Sequence, residues 1–229
     1  MRRRRKSTEL SELIYIDQAN VGASPMGYRV IEQRIRTGDH LCSFYENRTE
    51  QYQIALPFIT EGLHRGEKCL YIADDNTVAE IRAGLLMHDV DVERYLQTGQ
   101  LVIVTPKESY LRGGSFVADQ MISLLTACAT DAAAQGYSGF RAAGEVTWLL
   151  RELDSVDDFL KYEDALNDAM REFPVKILCQ YNTKKFFGDF IVRVLKTHPR
   201  VLLGLELYEN PFHRRSSPHH GGRAPARAD

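Results

Sequence analysis

The chain has 229 residues and a mass of 26.1 kDa, with 44% apolar and 26% charged side chains. This length and composition predict one globular domain with short extensions and exclude a wholly disordered chain. No run approaches the roughly 18–20 apolar residues that a membrane helix needs. The basic start, Met1–Lys6, is followed by polar residues rather than an apolar signal segment. The sequence therefore predicts a soluble cytoplasmic protein without a membrane partner.

The charge is spread unevenly along the chain. The net charge is −2, yet residues 7–212 hold 20 basic and 30 acidic side chains, because both ends are rich in arginine. Phosphate repels an acidic surface, so this body is a poor partner for nucleic acid. We interpret the basic ends as solvated tails.

The four cysteines contain no CxxC motif, because none lies within four residues of another. Their neighbours are apolar, which predicts buried, reduced thiols. The four residues are Cys42, Cys69, Cys128 and Cys179.

Short apolar runs alternate with amphipathic segments from residue 39 onward. The predicted strands cover residues 40–45, 68–73, 100–105, 139–143 and 175–181, followed by a hairpin over 201–203 and 205–208 around a glycine. The predicted helices cover 48–64, 77–87, 92–97, 116–134, 155–172 and 182–196. Pro57 should kink or shorten the first of these helices.

This alternation predicts an α/β fold with three layers, in which a mostly parallel central sheet carries helices on both faces and ends in a C-terminal hairpin. We expect a basic, partly disordered extension over 1–37, the main domain over 38–210 and a disordered tail over 211–229. Within the extension, 12–16 could form a strand and 28–36 a short helix. No helix-turn-helix or kinase module is recognisable.

A phosphate-binding loop of the usual kind is missing after the first strand. That loop would need GxxxxGK[ST] so that backbone amides and a lysine surround phosphate. The chain instead reads Glu46-Asn47-Arg48-Thr49-Glu50, and no GxGxxG is present. This pattern disfavours triphosphate hydrolysis and leaves a degenerate nucleotide site open.

A second candidate site follows the fourth strand. Arg141 lies in an apolar strand and needs an acidic partner, for which Glu145 and Glu163 are candidates. Trp148, in the predicted loop 144–154, could form a stacking wall for a small ligand or be packed in the core. Glu163 and Asn167 share one helix edge, which a solvated helix face would explain equally well.

Several motifs together resemble the MEDS family of sensory domains. The residues 38–46 read GDHLCSFYE, similar to the family's GxHxCxFYE, and the likeness extends to about residue 208. The further matching motifs are Pro57-Phe58-Ile59, Gly62-Leu63, Gly66-Glu67, Arg94-Tyr95-Leu96, Gly99-Gln100-Leu101, Gly136-Tyr137, Phe140-Arg141, Gly144-Glu145-Val146-Thr147-Trp148, Tyr162-Glu163 with Asn167, and Cys179-Gln180-Tyr181.

The resemblance implies a RecA/KaiC-like domain without a working P-loop that senses small molecules beside regulators of transcription or histidine kinases. A RecA-like strand order would place the fifth strand beside the first and bring Cys42 near Cys179. With His40 they could form a metal or redox site. We prefer packing of the thiols as small apolar side chains, and we expect no metal and no cofactor, although neither a metal nor a nucleotide is excluded.

Ligands of such sheets bind at the carboxyl ends of the strands. We therefore expect a small organic effector between the first, fourth and fifth strands, with Arg141 and Glu145 as polar anchors and Glu163 orienting Arg141. Replacing Trp148 by alanine should abolish binding and keep the fold. The expected ligand-binding residues are Tyr45, Glu46, Arg141, Glu145, Trp148, Glu163 and Tyr181, supported by His40, Cys42, Asn167 and Cys179.

The function that this reasoning favours is a non-enzymatic sensory domain. It would act through a separate regulator or histidine kinase, or through a homo-oligomer. One alternative is a degenerate RecA-like nucleotide switch or an ATPase-derived enzyme, with Glu46 or Glu145 as base or magnesium ligand. The other is a protein–protein interaction module, which would present an exposed apolar patch and no enclosed pocket.

Overall fold

The computed structural model describes residues 26–152 and 156–213. Its strands are short and mostly buried, as expected for a sheet covered on both faces. They are His40–Tyr45 (β1), Lys68–Ile72 (β2), Leu101–Val104 (β3), Phe140–Glu145 (β4), Val175–Asn182 (β5), Arg200–Leu203 (β6) and Glu206–Glu209 (β7).

Helices connect nearly all of these strands. They are Met26–Glu32 (α1), Arg48–His64 (α2), Val78–Leu86 (α3), Val92–Gln97 (α4), Ala118–Ala134 (α5), Leu149–Glu152 (α6), Val156–Ala169 (α7) and Gly188–Thr197 (α8), with a 3₁₀ turn at Pro106–Glu108. Within the described ranges, no helix is long and apolar enough to cross a membrane.

One sheet with the strand order β3-β2-β4-β5-β1-β6-β7 runs through the molecule. Every neighbouring pair is parallel except β6 and β7, which form an antiparallel hairpin. The predicted α/β class, the parallel sheet and the C-terminal hairpin are therefore confirmed. The predicted neighbourhood of the first and fifth strands is also confirmed, because Cys42 and Cys179 are register partners.

Two hydrophobic cores cover the two faces of the sheet. Helices α5 to α8 pack on one face, here called face A, and helices α1 to α4 pack on the other, face B. Because side chains alternate along a strand, His40 and Cys42 of β1 point to face A together with Cys179 and Tyr181 of β5. Arg141 and Glu145 of β4 contact partners on face B.

The structure corrects several predicted boundaries. β4 continues to Glu145, which pairs with Gln180 of β5, so residues 144 and 145 lie in the sheet and not in a loop. The helix predicted from residue 182 begins at Gly188, because Asn182 is still paired with Tyr45 of β1. Helix α2 continues through Pro57, so the proline does not shorten it. The possible strand at 12–16 and the tail from residue 214 lie outside the described residues.

Candidate functional site

A buried polar cluster lies on face A at the amino end of β1. His40 Nε2 lies 3.0 Å from Oε2 of Glu163, which projects from α7. Cys179 of β5 places its Sγ 3.4 Å from the same nitrogen and 3.6 Å from the same oxygen. Tyr181 donates its hydroxyl to the other Glu163 oxygen at 3.1 Å. Glu163 is fully buried, so the interpretation of this residue as part of a solvated helix face is wrong.

His198, which follows α8, completes this cluster. Its Nε2 lies 3.3 Å from Glu163 Oε2 but outside hydrogen-bonding geometry, and among the described residues this buried atom has no other hydrogen-bond partner. Its ring stacks against His40 with centroids 4.1 Å apart. The sequence reasoning missed His198, because only the pairing of β6 with β1 brings the start of β6 beside His40. A prediction that β6 pairs with β1 would have placed His198 near His40.

The electrostatics of this cluster follow from burial and from the two imidazoles. Burial opposes ionisation of Glu163, but His198 and His40 outweigh it wherever these rings carry a proton at Nε2, and they then hold its pKa well below the usual carboxyl range. Burial, followed by the neighbouring ring of His40, lowers the pKa of His198. Burial and then the Glu163 charge raise the pKa of Cys179. The cluster can hold a proton or a cation, and it lacks contact with solvent.

Arg141 lies on the opposite face of the sheet and is closed off from ligand. It donates to both oxygens of Glu32, to Oε2 of Glu67 at 2.5 Å and to the carbonyl of Phe58 at 2.7 Å. Its side chain is fully buried. The expectation that Glu163 orients Arg141, or that Glu145 pairs with it, is therefore wrong. The acidic partners are instead Glu32, at the end of the short helix α1, and Glu67, the residue before β2.

Glu145 holds the loop that follows β2. Its Oε2 accepts hydrogen bonds from the backbone N–H groups of Asp74 and Asn76 at 2.7 and 3.0 Å. Its Oε1 accepts from the Tyr71 hydroxyl and the Asn76 side chain at 2.9 and 2.8 Å. Burial raises its pKa despite these donors. With both oxygens occupied, Glu145 positions a loop and offers no free oxygen to a metal or a substrate.

Asp75 joins the carboxyl ends of three strands. Its Oδ2 accepts from the hydroxyl groups of Tyr45 at 3.2 Å and Thr147 at 2.9 Å, and from the side chain of Asn182 at 3.5 Å. Its Oδ1 pairs with Lys185 at 2.6 Å. An aspartate that is already surrounded by donors and an ammonium group is a poor cation ligand. Tyr45 therefore helps Asp75 to hold the strand ends together. Burial and the charge of Asp75 raise the pKa of the Tyr45 hydroxyl group.

A cleft of about 360 Å³ opens at the carboxyl ends of β2, β3 and β4. Its lining comes from within the segments 73–78, 105–111 and 148–152. Trp148 borders it while remaining fully buried and stacked on Tyr110, with centroids 4.7 Å apart. Two bordering residues each carry a buried polar atom that has no hydrogen-bond partner in residues 26–152 and 156–213, Nε1 of Trp148 and Oδ2 of Asp74. Such atoms are expensive to leave unpaired in a folded protein.

The connection where a P-loop would lie consists of only two residues, Glu46 and Asn47, between β1 and α2. Asn47 caps the helix by accepting from the N–H of Glu50 at 3.1 Å. The Glu50 carboxylate in turn accepts from the N–H of Glu46 at 2.8 Å. The helix start is thus capped by its own carboxylate, and Glu46 is exposed, 3.5 Å from Lys184.

Comparison with known proteins identifies the family of this chain. The sequence profile of MEDS, the MEthanogen/methylotroph, DcmR Sensory domain, matches residues 39–199. The chain belongs to the MEDS family. It is similar to the Transcriptional repressor DcmR of Methylorubrum extorquens, with 27% identity over 161 residues, which cover 70% of this chain and 58% of the repressor. The chain thus matches less than two thirds of that relative.

The fold of this MEDS chain is similar to the crystal structure of a KaiC-like protein from Pyrococcus horikoshii. The TM-score is 0.60 with 13% sequence identity, and the match covers 80% of each chain. At this identity the likeness concerns the fold alone. It confirms the predicted KaiC-like arrangement of the sheet.

The MEDS chain distributes the expected site residues over several places instead of one pocket. His40, Glu163, Asn167, Cys179 and Tyr181 meet in the buried cluster on face A, and Cys42 lies on the same face with its Sγ 3.8 Å from the carbonyl of Arg200. Tyr45 and Glu145 hold the strand ends, Arg141 is enclosed on face B, Glu46 is exposed, and Trp148 borders the cleft. Among the described residues that line the cleft, Trp148 is the one that the sequence predicted to bind ligand.

Proposed function

We propose that this MEDS domain is a non-enzymatic sensor that binds a small organic effector in the cleft at the carboxyl ends of β2, β3 and β4. The observation that carries the proposal is the cleft itself, bordered by two residues with unsatisfied buried polar atoms. Membership of a sensory-domain family and similarity to a transcriptional repressor support a regulatory role. A partly apolar cavity with few polar groups is the usual design of a small-molecule site.

The lining suggests the chemistry of the effector. Apolar surface comes from Val78, Pro106, Leu111 and Trp148 among the lining residues. The indole N–H of Trp148 can donate a hydrogen bond, and the free carboxylate oxygen of Asp74 can accept one. A hydroxyl group can meet either need, because its oxygen accepts and its O–H donates. We therefore favour a small, weakly polar molecule that carries a hydroxyl group.

Glu145 is the positioning residue of this proposed site. It fixes the backbone of Asp74 and Asn76, and both of these residues border the cleft. A glutamine at position 145 would present an amide N–H where a carboxylate oxygen now accepts, so donor would face donor. The loop would then move, and the cleft would change shape without loss of any residue that lines it.

The short connection between β1 and α2 argues against the alternative function, a nucleotide switch. Two residues leave no room for a glycine-rich phosphate loop, and the Glu50 carboxylate caps the helix start. Phosphate brought to this position would meet a like charge. We propose that the sensor signals through contact with a transcriptional regulator or a histidine kinase, or through self-association, and that its role is non-catalytic.

Fluorescence of Trp148 tests the proposal directly, because it is the only tryptophan in the chain. The purified protein is titrated with small alcohols, matched hydrocarbons without the hydroxyl, and ATP or ADP with Mg²⁺. An alcohol should shift the emission and raise the melting temperature, since a ligand that binds only the folded state stabilises it. Glu145→Gln should weaken this response, while Lys161→Ala, on the exposed face of α7, should leave it unchanged.

A stabilising response to nucleotide alone would favour the nucleotide switch instead. Equal responses to an alcohol and its matched hydrocarbon would contradict the role given to Asp74 and the indole N–H. Full retention of the alcohol response in Glu145→Gln would remove the positioning role of Glu145.

A further inference from the structure

Four side chains from four different parts of the chain converge in the cluster on face A. His40 begins β1, Glu163 lies in α7, Cys179 lies in β5, and His198 follows α8. One potential metal-ligand atom of each lies within 4.8 Å of all the others, and all four residues are buried. The proposed effector cleft uses none of them.

The hydrogen bonds of His198 fix which of its nitrogens carries a proton. Its Nδ1 lies 2.9 Å from the carbonyl oxygen of Val194, which can only accept. The neighbouring Thr197 hydroxyl donates to that same carbonyl, so it also accepts from the ring. Nδ1 therefore carries the proton, and a neutral ring presents the lone pair of Nε2 to the cluster.

The same reasoning applies to His40 through Asn167. The side-chain N–H₂ of Asn167 lies within hydrogen-bond distance of three carbonyl oxygens, those of Glu163, Asp164 and Thr197. This fixes the orientation of the amide, so that its oxygen faces Nδ1 of His40 at 3.1 Å and accepts from it. A neutral His40 therefore also directs the lone pair of Nε2 into the cluster.

Both lone pairs meet a carboxylate oxygen that can itself only accept. The Oε2 atom of Glu163 lies 3.0 Å from one imidazole nitrogen and 3.3 Å from the other, and within the part of the chain that the structure describes Nε2 of His198 has no hydrogen-bond partner. Acceptor facing acceptor in a buried site is unfavourable unless a positive centre lies between them. A single proton can bridge only one histidine and the carboxylate. A metal ion can bind both histidines, the carboxylate and the thiolate at once.

Four of the six distances among the ligand atoms agree with a tetrahedral centre. Bonds of about 2.0–2.3 Å from zinc to nitrogen, oxygen and sulfur give tetrahedral edges of about 3.3 Å between nitrogen and oxygen and about 3.6 Å to sulfur. Four of the six distances are 3.0 and 3.3 Å from Glu163 to the imidazoles and 3.4 and 3.6 Å from Cys179 to His40 and Glu163, and all four ligand atoms lie within 4.8 Å of one another. The second-shell contacts are also those expected, because metal-bound histidines donate their other N–H to a carbonyl or a comparable acceptor.

We propose that His40 Nε2, His198 Nε2, Glu163 Oε2 and Cys179 Sγ bind a divalent transition metal of the zinc type. Two neutral imidazoles, one carboxylate and one thiolate neutralise a dication, which removes the penalty of an uncompensated buried charge. Binding displaces the Cys179 thiol proton, and any proton on an imidazole nitrogen, to solvent. All four positions are filled by protein, so the site is structural and ties α7 and the segment before β6 to the sheet.

The test begins with the wild-type protein, purified without a histidine tag or chelator. Elemental mass spectrometry should find one zinc-type ion per chain. Removal of the metal and reconstitution with Co²⁺ should produce d–d bands of a tetrahedral centre and a thiolate charge-transfer band. X-ray absorption should show one sulfur and three nitrogen or oxygen neighbours. Chelation should lower the melting temperature, and Zn²⁺ should restore it.

Variants then identify the ligands. Cys179→Ala should abolish the thiolate band and metal retention, whereas Cys42→Ala and Cys128→Ala, which change thiols outside the ligand set, should retain both. Asn167→Ala should weaken metal affinity by about 10–100-fold through the lost second-shell contact. If Cys179→Ala does not fold, the sulfur neighbour in the wild-type absorption spectrum decides the question.

Three results would overturn the proposal. One is metal-free protein that also fails to give a thiolate band with added Co²⁺, which would make the cluster a proton-bridged network. Another is a metal whose sulfur ligand survives in Cys179→Ala and disappears in Cys42→Ala. The third is a coordination shell without sulfur in the wild-type protein.

Discussion

Arg141 donates to both carboxylate oxygens of Glu32, at 3.0 and 2.9 Å, in the interior beneath α1 and α2. Both side chains are buried, so neither charge is solvated. The guanidinium also lies 4.7 Å from the ring centre of Phe58. This pairing anchors α1, which precedes the segment resembling the sensory family, to the centre of the sheet. It also explains how an arginine can occupy an apolar strand.

Replacing Arg141 by methionine should therefore destabilise the fold strongly. The substitution leaves two buried carboxylates, Glu32 and Glu67, without their common cation, at an expected cost of about 3–5 kcal/mol in the free energy of unfolding. Urea unfolding measures this change. The matched control is Arg82→Met, which breaks the exposed pair with Glu93 and should cost about 0–1 kcal/mol. Equal effects of the two substitutions would show that the buried pair contributes no more than a surface pair.

The same network predicts acid sensitivity through Glu67. Burial opposes ionisation of Glu67, but Arg141 and Lys176 outweigh it and lower its pKa below the ordinary value of 4.5. The folded chain thus keeps this carboxylate ionised at pH values where the unfolded chain protonates it. The stabilising contribution is complete above pH 4.5 and is lost as the pH falls below that value toward the folded pKa.

Urea unfolding on both sides of pH 4.5 tests this dependence. Glu67→Gln should flatten the loss of stability on the acid side, since glutamine does not titrate. Glu172→Gln, at an exposed position, should leave the acid profile as in the wild type. An unchanged profile in Glu67→Gln would assign the acid sensitivity to other carboxylates.

Periodicity and composition sufficed for most of the fold because the central strands are mostly buried apolar runs and helical segments alternate with them. The position of β5 beside β1 came from the family resemblance and not from the pattern. The boundary after β4 was missed since Gly144 and Glu145 look like loop residues, although the sheet pairs them with Cys179 and Gln180. Local composition carries no information on which strand a residue will meet.

The site was less predictable for the same reason. Glu163 and Asn167 were recognised as neighbours on one helix, but their partners His40 and His198 depend on how α7 and β6 pack around β1. Arg141 was correctly expected to need an acid, and the acid came from α1 and the residue before β2. Charged residues in apolar segments indicate that a partner exists, and only the tertiary structure identifies it.

Trp148 is expected to support the fold as well as the proposed cleft. Its ring is fully buried against Tyr110, Phe116 and Phe159. Truncation to alanine would leave a large cavity and cost about 3–5 kcal/mol, so we expect Trp148→Ala to lose much of the stability of the fold as well as binding. Trp148→Phe retains most of the packing and removes the indole N–H.

Differential scanning calorimetry and effector binding separate these two contributions. Trp148→Phe should remain folded with a modest loss of stability and show weaker binding of a hydroxyl-bearing effector, measured by its shift of the melting temperature. Phe159→Leu, which alters the same aromatic cluster outside the cleft lining, should lose stability with binding retained. Wild-type binding in Trp148→Phe would remove the indole N–H from the site.

Gly62 permits the close approach of α2 to the sheet. A Cβ atom at this position would lie 2.7 Å from Sγ of Cys69 and 2.9 Å from Nε of Arg141, and the hydrogen bonds to Glu32 and Glu67 hold that guanidinium in place. Alanine favours a helix over glycine by about 1 kcal/mol, but overpacking of a core costs about 1–3 kcal/mol. Gly62→Ala should therefore destabilise the protein in urea unfolding, since the clash outweighs the helix preference.

Gly188→Ala is the matched control, because Gly188 also lies in a helix and a Cβ atom there meets no atom of the described residues within 4 Å. This variant should be neutral or more stable by up to about 1 kcal/mol. An equal gain of stability in both alanine variants would contradict this prediction. It would mean that the guanidinium and the thiol move aside for the added methyl group, and that α2 packs less tightly against β2 and β4 than these distances indicate.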